Sequence, residues 1–179
     1  MKNIDKIKKF LRILMLLLII AIIAYVIMIV LPKRNAVNEE SDKIKYDYVL
    51  YKRDNKLYKD IFNKLKDELD DEIDYDKYAE YISELFVIDL YTLNNKSSKD
   101  DIGGLQFIYD SFKENFVLNI SNTLYKYIAI QNELPEVNSI ELISLDKVDY
   151  TINNKSYSGY EVSLKWGYVK DYGYDDKGI

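Results

Sequence analysis

The segment Tyr160-Glu161-Val162-Ser163-Leu164-Lys165-Trp166-Gly167-Tyr168 alternates between large apolar or aromatic side chains and small or polar ones. Successive side chains of a β-strand point to opposite faces, so one face of this segment collects every large residue. The alternation predicts a half-buried strand with an unusually aromatic inward face, marked by Tyr160, Trp166 and Tyr168.

Further strand signals lie on both sides of this segment. Val148, Tyr150 and Ile152 alternate over a shorter run, and Asn153-Asn154-Lys155 is a suitable hairpin connection to the aromatic strand. The stretch 140–145 is less regular, which favours a bulge. Residues 174–179 predict a hairpin turn and one residue of a new strand. A sheet that stopped there would expose the edge of the aromatic strand, which favours a truncated chain with its last strand missing.

Three helical patterns precede the strands, each with apolar residues three and four positions apart. The first contains Leu57, Tyr58, Ile61, Phe62, Leu65 and Leu69; the second Tyr75, Tyr78, Ile82, Leu85 and Phe86; the third Phe112, Phe116, Val117, Ile120, Leu124, Tyr127 and Ile128. Asp110 is the expected N-cap of the third helix. Helices followed by strands predict an α+β fold, with helices covering one face of an antiparallel sheet.

Residues Ile13 to Leu31 carry no charged side chain. A helix of this length extends about 28 Å, close to the thickness of a bilayer's hydrocarbon core, so the segment predicts a transmembrane helix. Five basic residues precede it and two follow it directly, which places the N-terminus in the cytoplasm. The apolar run is longer than that of a cleaved signal peptide and lacks a small-residue cleavage site, so an uncleaved signal anchor is favoured.

The remaining organisation follows from this span. Residues 1–12 form a basic cytoplasmic tail, 13–31 the transmembrane helix, 32–46 a polar tether and 47–179 one extracytoplasmic α+β domain. The localisation expected is the cell membrane, single-pass, with the main domain outside.

Composition excludes several functions. The chain has 25 basic and 30 acidic residues; without those up to Arg12, 20 and 29 remain, a net charge of about −9. Such a domain repels nucleic-acid phosphates, so no direct nucleic-acid binding is expected. Histidine and cysteine are absent, which excludes disulfides, thiolate sites and Ser-His-Asp or Cys-His catalysis. Exported domains without cysteine are typical of low-GC Gram-positive bacteria.

Asp89 interrupts the apolar stretch 85–91. A buried carboxylate can act as a functional base with a raised pKa. More often such a residue hydrogen-bonds a neighbouring loop, here the backbone around 94–104. Nothing in the sequence pairs a second carboxylate with Asp89, so the structural interpretation is preferred and a glycosidase-like pair has no support.

The loop 94–104 has the most distinctive composition of the chain, rich in Asn, Ser, Lys and Asp and ending in two glycines. Asn94 and Asn95 open it, and Gly103-Gly104 closes it, where the backbone could approach a ligand or adopt positive φ. A phosphate loop is disfavoured because no strand precedes the loop. A structured interhelical loop is the first interpretation and a partner-binding surface the second. The acidic run 67–76 lacks the glycine and glutamate of a calcium-binding EF-hand, so no metal is expected there.

The layout resembles membrane-anchored domains of the nuclear-transport-factor-two-like superfamily. The most similar segments are Phe86-Val87-Ile88-Asp89-Leu90-Tyr91 and Gly159-Tyr160-Glu161-Val162-Ser163-Leu164-Lys165-Trp166. Members include the TcpC-like proteins of conjugation and type IV secretion machinery in Gram-positive bacteria. The resemblance implies helices on a curved, cone-shaped antiparallel sheet, and a scaffold that oligomerises and bridges other subunits.

Together these features predict a non-enzymatic, membrane-anchored scaffold of a conjugation-type apparatus. Its expected partners are the membrane, other envelope proteins and further copies of itself, and no cofactor is expected. The alternative is an envelope module that binds a small or cell-wall ligand in an aromatic-lined pocket; Tyr168, Tyr172 and Tyr174 are its candidate sugar-stacking residues. A third hypothesis, an enzyme with Asp89 as a buried base, is the least favoured.

Overall fold

The described part of the chain is an α+β domain. A computed structural model describes residues 40–70, 72–126, 128–152 and 154–179. The elements are β1 (Glu40–Lys43), β2 (Val49–Tyr51), α1 (Lys56–Asp70), α2 (Tyr75–Tyr91), α3 (Asp110–Asn122), β3 (Val137–Ile152), β4 (Lys155–Tyr168) and β5 (Lys177–Gly178). Two antiparallel sheets form, β1-β2 and β3-β4-β5. The predicted fold class is confirmed.

The predicted span Ile13–Leu31, the basic tail and residues 32–39 of the tether lie outside the described residues. Within the residues described, no helix combines the length and apolarity needed to cross a bilayer. The end of the predicted tether is structured, since Glu40–Lys43 pairs with β2. Polarity alone did not reveal this strand, since Asp42 is only partly buried and Lys43 is exposed.

The first two helices form where the apolar stripes predicted them. Asn55 Oδ1 accepts a hydrogen bond from Tyr58 N at 2.9 Å, which caps the start of α1. Asp74 caps α2 in the same way through Asp76 N, at 3.0 Å. Of the acidic run 67–76, residues 67–70 belong to the last turn of α1, residues 72–74 to the connection, and residues 75–76 to the start of α2, so the interhelical turn expected there is shorter than the run.

The third helix differs from the prediction at both ends. Tyr109 occupies the N-cap position and Asp110 is already the first helical residue, so Asp110 does not cap α3. The helix ends at Asn122 because Thr123 leaves the helical region, with φ −119° and ψ −93°. Tyr125 and Ile128 are nevertheless buried, in turns rather than in a helix.

Two apolar clusters hold the domain together. The larger one joins α1, α2 and the sheet through buried residues of all three, including Phe62, Leu85, Leu164 and Trp166. Trp166 is 4% exposed, and its ring lies 4.8 Å from that of Tyr91. Its predicted burial is confirmed. A smaller cluster lies under the loop after α2 and contains Leu90, Leu93, Ile102, Tyr125 and Ile128.

β3 and β4 form one long hairpin. Ile152 pairs with Lys155, which leaves room for only a two-residue connection, and Asn154 adopts φ 61°, as such a turn requires. Val148, Tyr150 and Ile152 are the end of β3 rather than a separate short strand. The register shifts between Leu142 and Ser144, which confirms the bulge predicted in 140–145. At the chain's end, Lys177–Gly178 pairs with Leu164 and Lys165 of β4.

Candidate functional site

The bulge at Ile143 changes which face of the sheet carries the apolar residues of β3. Before it, Ile140 and Leu142 oppose Trp166 and Leu164 on the core face. The extra residue moves Val148, Tyr150 and Ile152 to the opposite face, because a one-residue slip inverts every side chain beyond it. Sequence periodicity could not show this inversion, since alternation is the same on either face.

The distal half of the hairpin, residues 144–163, is here called the ribbon. On its outer face Tyr150 opposes Tyr157 and Ile152 opposes Lys155. Tyr150, Ile152 and Tyr157 are 42%, 44% and 50% exposed. The Tyr150 ring lies against Gly159, where an added Cβ would be 3.1 Å from the ring. These side chains form an exposed apolar patch, a feature typical of interaction surfaces.

The inner face of the ribbon meets the start of α2 through polar contacts. Tyr160 OH donates to Asp76 Oδ1 at 2.8 Å, and Lys147 Nζ lies 3.0 Å from the same oxygen. Tyr160, predicted on the buried aromatic face, is therefore only partly buried. Tyr168, at the other end of that face, is also partly buried and accepts a hydrogen bond from Trp166 Nε1 at 3.0 Å.

A second candidate is a buried group of charges beneath the loop 94–104. Asp89, near the end of α2, forms an ion pair through Oδ1 with Lys96, whose side chain is fully buried. Asp89 Oδ2 accepts a hydrogen bond from Gly104 N at 2.6 Å. The expected hydrogen bond between Asp89 and the loop backbone is thus present, and the lysine adds a charge partner that the sequence did not reveal.

Arg53 and Asp101 hold the loop from its other side. Arg53 Nη1 donates to both carboxylate oxygens of Asp101, at 2.8 and 2.7 Å. Burial acts to raise the pKa of Asp101, but the hydrogen bonds from Arg53 and Ser97 outweigh it and lower that pKa. Burial also raises the pKa of Asp54 to about 6, since the hydrogen bond from Tyr51 N compensates only in part. Two cations and three carboxylates therefore share one half-enclosed region.

The four loop residues singled out from sequence lie mostly inside this arrangement. Gly103 and Gly104 are buried, and a Cβ on Gly103 would lie 2.1 Å from Asp89 O. The glycines thus permit contact with α2 rather than with a ligand. Asn94 donates to Glu136 Oε2 at 2.6 Å. Asn95 donates to Arg53 O at 3.4 Å.

A cavity of about 230 Å³ adjoins the buried charges. Its wall includes Arg53, Asp89, Asp101 and Gln106. Arg53 Nε and Asn95 Oδ1 are buried without a protein hydrogen-bond partner in the described part of the chain. A polar cavity of this size accommodates several water molecules, which commonly satisfy such atoms. Among the residues described, no group of three acidic residues is arranged to hold a metal ion.

Tyr125 is a further contributor that sequence reasoning missed. Its hydroxyl donates to Leu90 O at 2.8 Å and accepts from Gly103 N at 3.1 Å. Burial raises its pKa, so the phenol stays neutral. It lies after α3, and the apolar stripe predicted for that helix did not include it. The consecutive glycines were the available signal, because they indicate a close backbone approach.

The arrangement of the charges favours a structural role for Asp89. Both of its carboxylate oxygens have partners, one of them a buried cation. A general base must instead reach the proton that it removes from a substrate. The ribbon's outer face, by contrast, is exposed and makes no contribution to either apolar cluster. The ribbon is therefore the stronger candidate for function.

Compared with protein families, curated proteins and solved structures, the chain shows no match in any of the three.

Proposed function

We propose that the protein is a single-pass, membrane-anchored scaffold of the bacterial cell envelope, whose extracytoplasmic domain presents the ribbon to other proteins. The observation that carries the proposal is the outer patch of Val148, Tyr150, Ile152 and Tyr157. A two-stranded ribbon of this length has little stability by itself, and exposed aromatic residues on it are best explained by a partner. The anchor rests on the uncharged segment Ile13–Leu31.

The resemblance to TcpC-like domains extends this proposal to a conjugation or type IV secretion apparatus. The helices before the sheet and the bulged antiparallel strands are consistent with a nuclear-transport-factor-two-like cone. Asp89, Lys96 and Gly104 then serve the scaffold by fixing the loop against α2. In this role the domain catalyses no reaction.

Photo-cross-linking in cells that produce the full chain tests the ribbon. A photoreactive amino acid replaces Tyr157, and in a matched control it replaces Asp60, an exposed residue of α1. We expect adducts of defined mass with membrane-envelope proteins from position 157 and not from position 60. Equal labelling from both sites, or none from position 157, would contradict the scaffold proposal.

Protease treatment of intact protoplasts tests the anchor independently. With an epitope at each end of the full chain, we expect the C-terminal epitope to be lost and a short N-terminal fragment to be protected. Protection of the whole chain would show the opposite orientation or an internal location.

A second candidate function has one observation in its favour. Tyr172 and Tyr174 line an open depression of about 520 Å³ with Gln131, Asn132 and Glu133, a mixture of aromatic and polar groups suited to sugars. The predicted pocket on the inner sheet face is not favoured, because helix side chains cover Leu164 and Trp166 there. Titration with triacetylchitotriose, followed by tryptophan fluorescence, tests the depression. Saturable binding that Tyr172→Ala abolishes would support this candidate.

A further inference from the structure

The outer edge of β3 forms no strand pair within the residues described. β4 is paired with β5 at one end, and further along the Tyr150 hydroxyl donates across Gly159 to Tyr160 O at 3.2 Å. Because β5 pairs with Leu164 and Lys165, beyond the end of the ribbon, the ribbon's β4 edge also has no strand partner in the described residues, but its Tyr160 carbonyl already accepts a hydrogen bond. The β3 edge is therefore the more open of the two to another strand.

The hairpin turn determines which groups of β3 face outward. Residues that flank a two-residue turn exchange both backbone hydrogen bonds, and the pairs then alternate along the ribbon. Ile152, Tyr150 and Val148 therefore bond to β4. The intervening residues, among them Lys147 and Asp149, direct their N–H and C=O groups to the open edge. The bond from Trp166 N to Asp176 O, 2.7 Å long on the far edge of β4, fits the same alternation.

The charges along this edge are self-complementary at one register. If two β3 strands pair antiparallel about a two-fold axis at Val148, Lys147 of each copy opposes Asp149 of the other. Shifting the axis to Lys147 or to Asp149 places like charges opposite each other. Axes at Asp146 or Tyr150 place neither Lys147 nor Asp149 opposite a charged residue of the other copy. Edge charges usually prevent pairing, but here their order permits it in one arrangement.

We propose that two copies of the chain pair through the β3 edges of their ribbons, with the two-fold axis at Val148, to form a continuous four-stranded sheet. Val148 and Tyr150 of both copies then join into one apolar surface on the outer face. The proposal rests on the proposed scaffold function and names a second copy as the first partner of the ribbon.

Cysteine cross-linking of the full chain in membranes tests the register, since the natural sequence has no cysteine. Val148 would face its own copy as a non-hydrogen-bonded pair, about 4.5 Å between Cα atoms, which suits a disulfide. We expect Val148→Cys to form covalent dimers under mild oxidation. Asp146→Cys and Tyr150→Cys should each remain monomeric alone, because identical positions are then about 13 Å apart. Co-expressed, these two variants should cross-link to each other.

Charge reversal provides the matched control for folding defects. Lys147→Asp or Asp149→Lys alone should weaken dimer formation at least about tenfold, because two cross-strand pairs become repulsive at once. The double variant Lys147→Asp/Asp149→Lys, which still lacks the ion pair of Lys147 with Asp76, should dimerise at least about threefold more tightly than either single variant. Loss of folding could not produce this recovery.

The outcomes separate the dimer from the scaffold. If Val148→Cys stays monomeric, or if Asp146→Cys and Tyr150→Cys each cross-link alone as well as Val148→Cys does, the proposed pairing is wrong. Adducts of Tyr157 with a different envelope protein would then leave the scaffold function standing with another partner. If neither dimers nor ribbon adducts form, both proposals fail.

Discussion

The ion pair between Asp89 and Lys96 allows a quantitative test of the structural role assigned to Asp89. Asp89→Asn keeps an oxygen that can accept the hydrogen bond from Gly104 N. Its main effect is therefore to remove the negative charge that pairs with Lys96. The Lys96 side chain is fully buried, and it forms an ion pair with Asp89. Removing one partner of a buried ion pair costs about 3–5 kcal/mol, since the other charge is left uncompensated.

Lys96→Met should have a cost of the same order because it leaves the Asp89 carboxylate without its cation. The double variant Asp89→Asn/Lys96→Met contains neither charge and a methionine of similar length. Its cost should lie well below the sum of the single costs. We expect a coupling free energy of at least about 2 kcal/mol, in the upper part of the range for contacting residues.

Urea unfolding of the full chain in mild detergent provides the measurement. Trp166, the only tryptophan, is buried in the larger apolar cluster and reports the unfolding of the domain by fluorescence. Additive single costs, or an Asp89→Asn variant as stable as the parent, would refute the buried pair. A variant that keeps full stability yet loses all cross-linking from Tyr157 would instead implicate Asp89 directly in function.

Three further predictions concern burial, titration and close packing. Trp166→Ala should destabilise the domain by about 3–5 kcal/mol by far-ultraviolet circular dichroism; a loss under about 1 kcal/mol would place its face outside the core. Burial, and then the charge of Glu80, raises the pKa of Glu84 from 4.5 to about 7, so its stabilising contribution is complete below pH 4.5 and is lost as pH rises through 7. Glu84→Gln should therefore match the parent near pH 4.5 and exceed its stability by about 2–3 kcal/mol at pH 8; a pH-independent difference would contradict this. Gly103→Ala should lower the free energy of unfolding in urea by at least about 2 kcal/mol. The control Gly173→Ala, where the new Cβ meets no atom but φ is 71°, should lower it by about 1 kcal/mol. Equal losses for the two variants would argue against the close contact of Gly103 with Asp89.

The sequence predicted the parts of the fold that depend on local periodicity. The stripes of α1 and α2 and the face of Trp166 could be found because each element buries one side against a neighbour. The end of α3 could not be predicted, since Leu124 and Ile128 keep the apolar spacing of a helix while lying in turns. Burial at regular intervals does not by itself require continuous helical hydrogen bonds.

The buried charges were only half predictable. Asp89 was conspicuous because it interrupts an apolar run, and its bond to the loop backbone was expected. Lys96 lies in a loop whose polar composition predicts exposure, and Arg53 and Asp101 are far apart in the chain. Their proximity depends on how the loop folds back over α2, which is a tertiary property without a local pattern.

The contacts within the ribbon can be compared with the conformational entropy that is lost when the ribbon is ordered. The inner face of the ribbon contacts the rest of the domain through Val162, Tyr160 and Lys147. Its outer patch, in contrast, belongs to neither apolar cluster. Cross-strand pairs such as Tyr150 with Tyr157 supply about 0.2–1 kcal/mol each. Fixing each residue's backbone costs about 1–2 kcal/mol. Side-chain pairs alone therefore do not offset the cost of ordering this length of hairpin. The proposed pairing of two copies would add backbone hydrogen bonds and a shared apolar face, so it predicts that the ribbon is most stable when bound, as the assembly surface of the proposed scaffold must be.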